Sequence, residues 1–128
     1  MTGTEGAGKK EMAEAHVFEV AFFVTSHGFG HAARACAVAE ALLAVRPGTR
    51  FAFYTEAPRW FFEDSLSSAC VHRHCQTDVG LVQDTPFQHD LGKTLNSLSK
   101  FFPFNEEKIS RLADELSDAG CRLVVCDV

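Results

Sequence analysis

The stretch that decides the fold is Phe18-Glu-Val-Ala-Phe-Phe-Val24, followed by Thr25-Ser-His27-Gly28-Phe29-Gly30-His31 and by Ala32-Ala-Arg-Ala-Cys-Ala-Val-Ala-Glu-Ala-Leu-Leu-Ala-Val45. A continuous β-prone apolar run fits a strand covered on both faces, as in a parallel sheet. Gly28 and Gly30 let the backbone turn sharply and let a ligand approach closely. A helix is predicted from about His31 to Val45, with its first N–H groups directed above the strand, where they favour anions and oxyanions. Ala35, Val38, Ala39 and Leu42 are expected on its buried face.

Outward from this core the chain alternates. Pro47-Gly48 ends the first helix. Arg50 to Thr55 reads as a second strand, and Ala57-Pro58 opens a helix to about Ser65, with Pro58 suited to its first turn. Cys70 to Cys75 reads as a third strand and Gln76 to Pro86 as a loop. Two helices follow, about His89 to Phe101 and onward to Ala119, with Pro103 between them and Gly120 as the residue that ends the second. Arg122 to Asp127 is the fourth strand. The order β-α-β-α-β-α-α-β implies an α/β fold, a Rossmann-like doubly wound parallel sheet. Ligands of such sheets bind beyond the carboxyl ends of the strands, which here carry His27 to His31 and Asp127.

The totals narrow the function classes. A chain of 128 residues suffices for one domain. The first strand begins at about His16; residues 1–15 are rich in glycine and charge, and a disordered tail is expected there, with residues 16–128 forming the domain. A net charge of −5 argues against a nucleic-acid partner. No apolar run approaches the roughly 18 residues of a membrane span, and no signal-peptide core is seen, so a cytoplasmic location is expected. Five cysteines without a C-x-x-C pattern read as reduced, packed thiols. The final strand-like run reaches almost to Val128, so the chain is expected to be part of a longer protein.

The glycine turn supports two chemistries. Gly28-Phe-Gly30-His-Ala-Ala33 satisfies the G-x-G-x-x-A pattern of dinucleotide binding, with Glu56 about where an acid would meet a ribose hydroxyl. Alternatively, His31 at the helix start reaches a substrate hydroxyl as a general base, and Asp127 orients it. If the first and fourth strands are neighbours, their tips lie about 5 Å apart. His27 either binds a phosphate or sugar or closes the turn. No third ligand accompanies His27 and His31, so no metal is expected. His72 and His74 alternate on a strand and are read as an exposed edge. The phenylalanines at 61, 62, 101, 102 and 104 are expected in the core or at an interface, and Trp60 beside a cleft.

Val24-Thr-Ser-His27-Gly-Phe-Gly-His31-Ala-Ala-Arg34 closely resembles the start of the glycosyltransferase-like N-terminal region of plant L-arabinokinases and related bacterial proteins. The likeness continues through Ala57-Pro58, the loop from Asp78 to Gln83 and Leu123-Val-Val-Cys-Asp-Val128, about residues 17–128 in all. More distantly the pattern looks like GT-B glycosyltransferases. The resemblance implies an incomplete N-terminal half of a GT-B fold that binds a sugar or other hydroxyl acceptor, while a nucleotide sugar is held by a separate C-terminal domain and no cofactor is called for. It places the catalytic base on His31 and its partner on Asp127, with His27, Gly28, Phe29, Gly30 and Gln83 as substrate-binding candidates. An NAD(P)-binding oxidoreductase domain and a non-catalytic sugar-sensing module fused to a sugar kinase are the alternatives.

Overall fold

The computed structural model describes residues 17–128; the predicted tail at 1–15 and the start of the first strand at His16 lie outside them. The order is β1 (Val20–Val24), α1 (Gly30–Val45), β2 (Phe51–Thr55), α2 (Arg59–Ser65), β3 (Val71–His74), β4 (Gln83–Thr85), β5 (Gln88–His89), α3 (Leu91–Phe101), α4 (Glu106–Asp118) and β6 (Leu123–Asp127). Four strands form one sheet in the order β3-β2-β1-β6, and all its pairings are parallel. This is an α/β fold of the Rossmann-like kind. The chain builds outward from β1 through β2 to β3, then returns to pair β6 on the other side of β1. The winding therefore reverses between β1 and β6, which makes the crevice between their carboxyl ends the switch point at which ligands of open parallel sheets bind.

Residue alternation along the strands explains the two layers. Val20, Phe22, Val24, Phe51 and Phe53 face one side and pack with Ala32, Ala35, Cys36 and Ala39 of α1 and Phe62 of α2. The small side chains of α1 let it approach a face built from phenylalanine. Ala21, Ala52 and Tyr54 face the other side, where Ala119 and the half-buried Leu112 and Leu116 of the α4 segment meet them. Register aligns Phe22 with Phe53 and Phe23 with Tyr54, and each pair stacks, with ring centroids 5.1 and 4.6 Å apart. Such pairs add to the burial of the rings themselves.

Several expectations are corrected. The ladder starts at Val20 because Glu19 N and Val20 N both turn toward Arg50 O. Val38 is exposed and Cys36 is buried in its stead; at about 100° per residue, Val38 lies well round the helix from Ala39. Pro58 caps α2 in extended conformation instead of entering its first turn. The loop from Gln76 to Pro86 contains β4, which forms a short hairpin with β5; its Gln-Asp-Thr sequence has no apolar alternation to announce it. Helix α3 starts two residues later than His89, because the Asp90 side chain accepts from Lys93 N and fixes the start. Gly120 does end α4: at φ +77° it supports hydrogen bonds from Gly120 N to Ser117 O and from Cys121 N to Leu116 O, a Schellman closure. Phe102 and Phe104 are exposed, which leaves only the interface option for them, and Trp60 is exposed too. All five cysteines are free.

Candidate active site

The site grows from the tip of β1. Thr25 N donates to Asp127 O at 3.0 Å and carries the β1–β6 ladder one residue past Val24, so both strand ends are held in register where the chain turns. Gly28 then adopts φ +76°, a conformation that disfavours any residue with a Cβ. Gly30 does not share this requirement. Its φ is not positive, and a Cβ built there would meet nothing within 4 Å, so Gly30 leaves open space at the start of α1. No side chain caps α1, which leaves first-turn N–H groups free to meet a ligand.

His31 sits in that first turn. Asp127 lies 96 residues further on, in register with Val24, and so belongs to the sheet face that α1 covers. Its Oδ1 is 2.8 Å from His31 Nδ1. An ionised carboxylate only accepts, so the 2.8 Å contact is a hydrogen bond when Nδ1 carries the proton; Arg34 Nη2, 3.1 Å from the same Nδ1, then meets an N–H and gives its proton to Asp127 Oδ1 instead. In the neutral imidazole the lone pair then resides on Nε2, which has no partner among the described residues. Both side chains remain partly open to solvent.

Arg34, which the sequence reading did not assign to the site, completes the cluster. Its Nε donates to Asp127 Oδ2 at 2.7 Å and its Nη2 to Oδ1 at 2.8 Å, a two-pronged grip that suits a planar guanidinium. Three residues after His31 on one helix, Arg34 shares its face; that spacing was the available signal. The Arg34 hydrogen bonds first, and the His31 bond second, hold the Asp127 carboxyl below its usual range, and the carboxylate in turn raises the Arg34 guanidinium.

A second histidine–carboxylate contact flanks the turn. His27 Nε2 lies 3.4 Å from Asp78 Oδ1, while Thr25 Oγ1 donates to both Asp78 oxygens at 2.8 Å. Thr77 Oγ1 donates to Val24 O at 3.2 Å, so the segment after β3 is tied to the tip of β1. The His27 ring occupies the space a Cβ on Gly80 would need. Phe29 is half exposed and stacks on Phe61 with ring centroids 4.8 Å apart, with Trp60 alongside at 5.8 Å. These rings form an aromatic shelf beside the turn.

Other candidates lie elsewhere. Gln83 belongs to the β4–β5 hairpin, and its amide contacts His89 Nδ1 at 3.2 Å; no contact joins it to His31 or Asp127. Glu56 lies 3.6 Å from His74 Nε2. β3 is the edge strand, as expected, and His74 is exposed there, but His72 is half-buried and its Nε2 contacts Ala57 O at 2.8 Å. Among the described residues no group of three or more His, Cys, Asp or Glu side chains could hold a metal ion. The dinucleotide pattern needs its third small residue where helix meets strand; here Ala33 faces solvent and Ala32 is the buried one.

Fold and site together define a Rossmann-like α/β domain with an Arg-clamped His–Asp pair at its switch point. No protein-family model, curated protein or solved structure matches the chain. Among the described residues no helix is long and apolar enough to cross a membrane.

Proposed function

We propose that this chain is the acceptor-side, N-terminal part of a GT-B-type glycosyltransferase-like protein that transfers a sugar from a nucleotide sugar to a hydroxyl. The observation that carries the reading is the 2.8 Å contact between His31 Nδ1 and Asp127 Oδ1 at the crevice between β1 and β6. The acceptor hydroxyl binds against Nε2 of His31. As its oxygen attacks the anomeric carbon, Nε2 takes the proton, and the bond from that carbon to the nucleotide phosphate breaks with its electron pair leaving on the diphosphate. Asp127 stabilises the imidazolium as it forms and holds the ring in the reactive tautomer. Arg34 fixes the carboxylate and prevents it from rotating away. Phe29, with Trp60 and Phe61, offers a face for a sugar ring; His27 and the backbone at Gly28 and Gly30 line the approach. The nucleotide sugar is held by a second domain, outside this chain.

The test uses the protein expressed from its complete coding sequence, with a panel of nucleotide sugars and alcohol acceptors, and follows nucleotide release and product mass. His31→Ala is expected to lower the rate by about 10² or more. Turnover unchanged in that variant removes His31 from the mechanism. Saturable quenching of NADH fluorescence by the same protein, with no sugar transfer, would favour the dinucleotide alternative.

A further inference from the structure

A cavity of about 560 Å³ opens beneath the carboxyl end of the sheet on the face away from the His31–Asp127 pair. Strand alternation separates the two sites. Val24 and Asp127 are directed to the α1 side, whereas their neighbours Phe23 and Cys126 point to the opposite face and form the cavity floor. Phe101 of α3 and Leu112 of α4 supply apolar walls. The volume falls within the roughly 300–1,000 Å³ typical of small-molecule sites.

Charge makes this more than a gap between helices. Lys100 and Lys108 both line the cavity, and no aspartate or glutamate does. Neither lysine forms an ion pair among the described residues, whereas Lys93, on the same helix as Lys100, holds Asp84 at 2.7 Å and Asp90 at 3.1 Å. In a chain of net charge −5, two lysines without an ion-pair partner among the described residues line one mostly apolar pocket. A ligand that buries an apolar body and presents one anionic group satisfies both features: area leaves water along the walls, and the charge is neutralised where the lysines meet it.

We infer that this cavity binds an amphiphilic anion, with its apolar body against Phe23, Phe101 and Leu112 and its carboxylate or phosphate between Lys100 and Lys108. The site is independent of the sugar-transfer reading, because it uses the other face of the sheet and none of the residues of the His–Asp pair.

The experiment is calorimetric titration of the 128-residue chain with decanoate, decyl phosphate and neutral decan-1-ol, all below their aggregation limits. Decanoate is expected to bind saturably at one site. The double variant Lys100→Gln/Lys108→Gln should weaken it at least tenfold, and Arg46→Gln/Arg50→Gln, which removes two positive charges elsewhere, should not. Ser97→Trp, which fills the cavity from α3 without touching the core, should abolish binding while leaving the circular dichroism spectrum unchanged. A tighter fit for decyl phosphate than for decanoate assigns the head group as phosphate, and the reverse assigns it as carboxylate. No saturable binding of either anion, or binding of decan-1-ol as tight as that of decanoate, or a double variant as tight as the unaltered chain, overturns the inference.

Discussion

Asp127→Asn isolates the electrostatic role assigned to the pair. The substitution keeps the shape of the side chain but removes the charge that faces the imidazolium during proton transfer. With the charge centres about 4 Å apart, the attraction is worth about 1 kcal/mol in water and about 4 kcal/mol at an effective dielectric of 20. The His31 and Asp127 side chains are 38% and 22% exposed, and Arg34 shares the same carboxylate, so a value between these limits applies, about 2–3 kcal/mol. That corresponds to a loss of about 10²-fold in kcat. The assay is nucleotide release at saturating donor by the complete protein carrying Asp127→Asn, His31→Ala and both together. Since Asp127 acts through His31, the double variant should be no more than about threefold slower than His31→Ala alone. A single Asp127→Asn variant within threefold of wild type, or two losses that multiply in the double variant, would refute the reasoning.

Three further outcomes are expected. Because Arg34 is the chief cause of the lowered Asp127 pKa, stabilisation from this clamp is fully present above the ordinary carboxyl value of 3.8 and is lost as pH falls through the lower folded value; in Arg34→Gln the Asp127 carboxyl carbon should titrate at higher pH by NMR, and an unmoved midpoint contradicts the clamp. Gly28→Ala forces a Cβ into φ +76° and should cost about 1–2 kcal/mol in urea unfolding, whereas Gly30→Ala should leave stability the same or slightly raised, so a loss of turnover in Gly30→Ala reports crowding of a substrate. Burial pushes the Cys36 thiol up to about 11, leaving on the order of one molecule in a thousand as thiolate at pH 8; exposed Cys126 should react with iodoacetamide first, and rapid alkylation of Cys36 would contradict the packing of α1 on the sheet.

Much of this arrangement could be read from the chain because its signals are local and redundant. The phenylalanine- and valine-rich run before the glycine turn, the alanine-rich helix after it and the apolar run from Leu123 each point to a parallel sheet with its strand tips at one edge. That β1 and β6 are neighbours, the condition on which His31 meets Asp127, is fixed by the strand order and not by the alternation. What stayed hidden depends on long-range placement. An arginine three residues into a helix is usually solvated, and only the position of Asp127 makes Arg34 a clamp. Asp78 and Gly80 sit beneath His27 because Thr25 and Val24 tie down the segment after β3, a tertiary contact with no periodic signature. The β4–β5 hairpin consists of polar residues and draws Gln83 away from the pair. The swap of Val38 for Cys36 on the buried face of α1 reflects the position of the sheet rather than hydrophobicity, since both side chains are apolar.

The central claim is that Asp127 holds His31 with Nδ1 protonated and Nε2 free to receive a proton. Long-range ¹⁵N–¹H correlation spectra of the histidine rings near neutral pH test it directly. The account predicts an Nδ1–H signal for neutral His31 that gives way to the Nε2–H tautomer in Asp127→Ala. A neutral His31 already protonated at Nε2 in the wild-type chain, or a tautomer indifferent to Asp127→Ala, would contradict it.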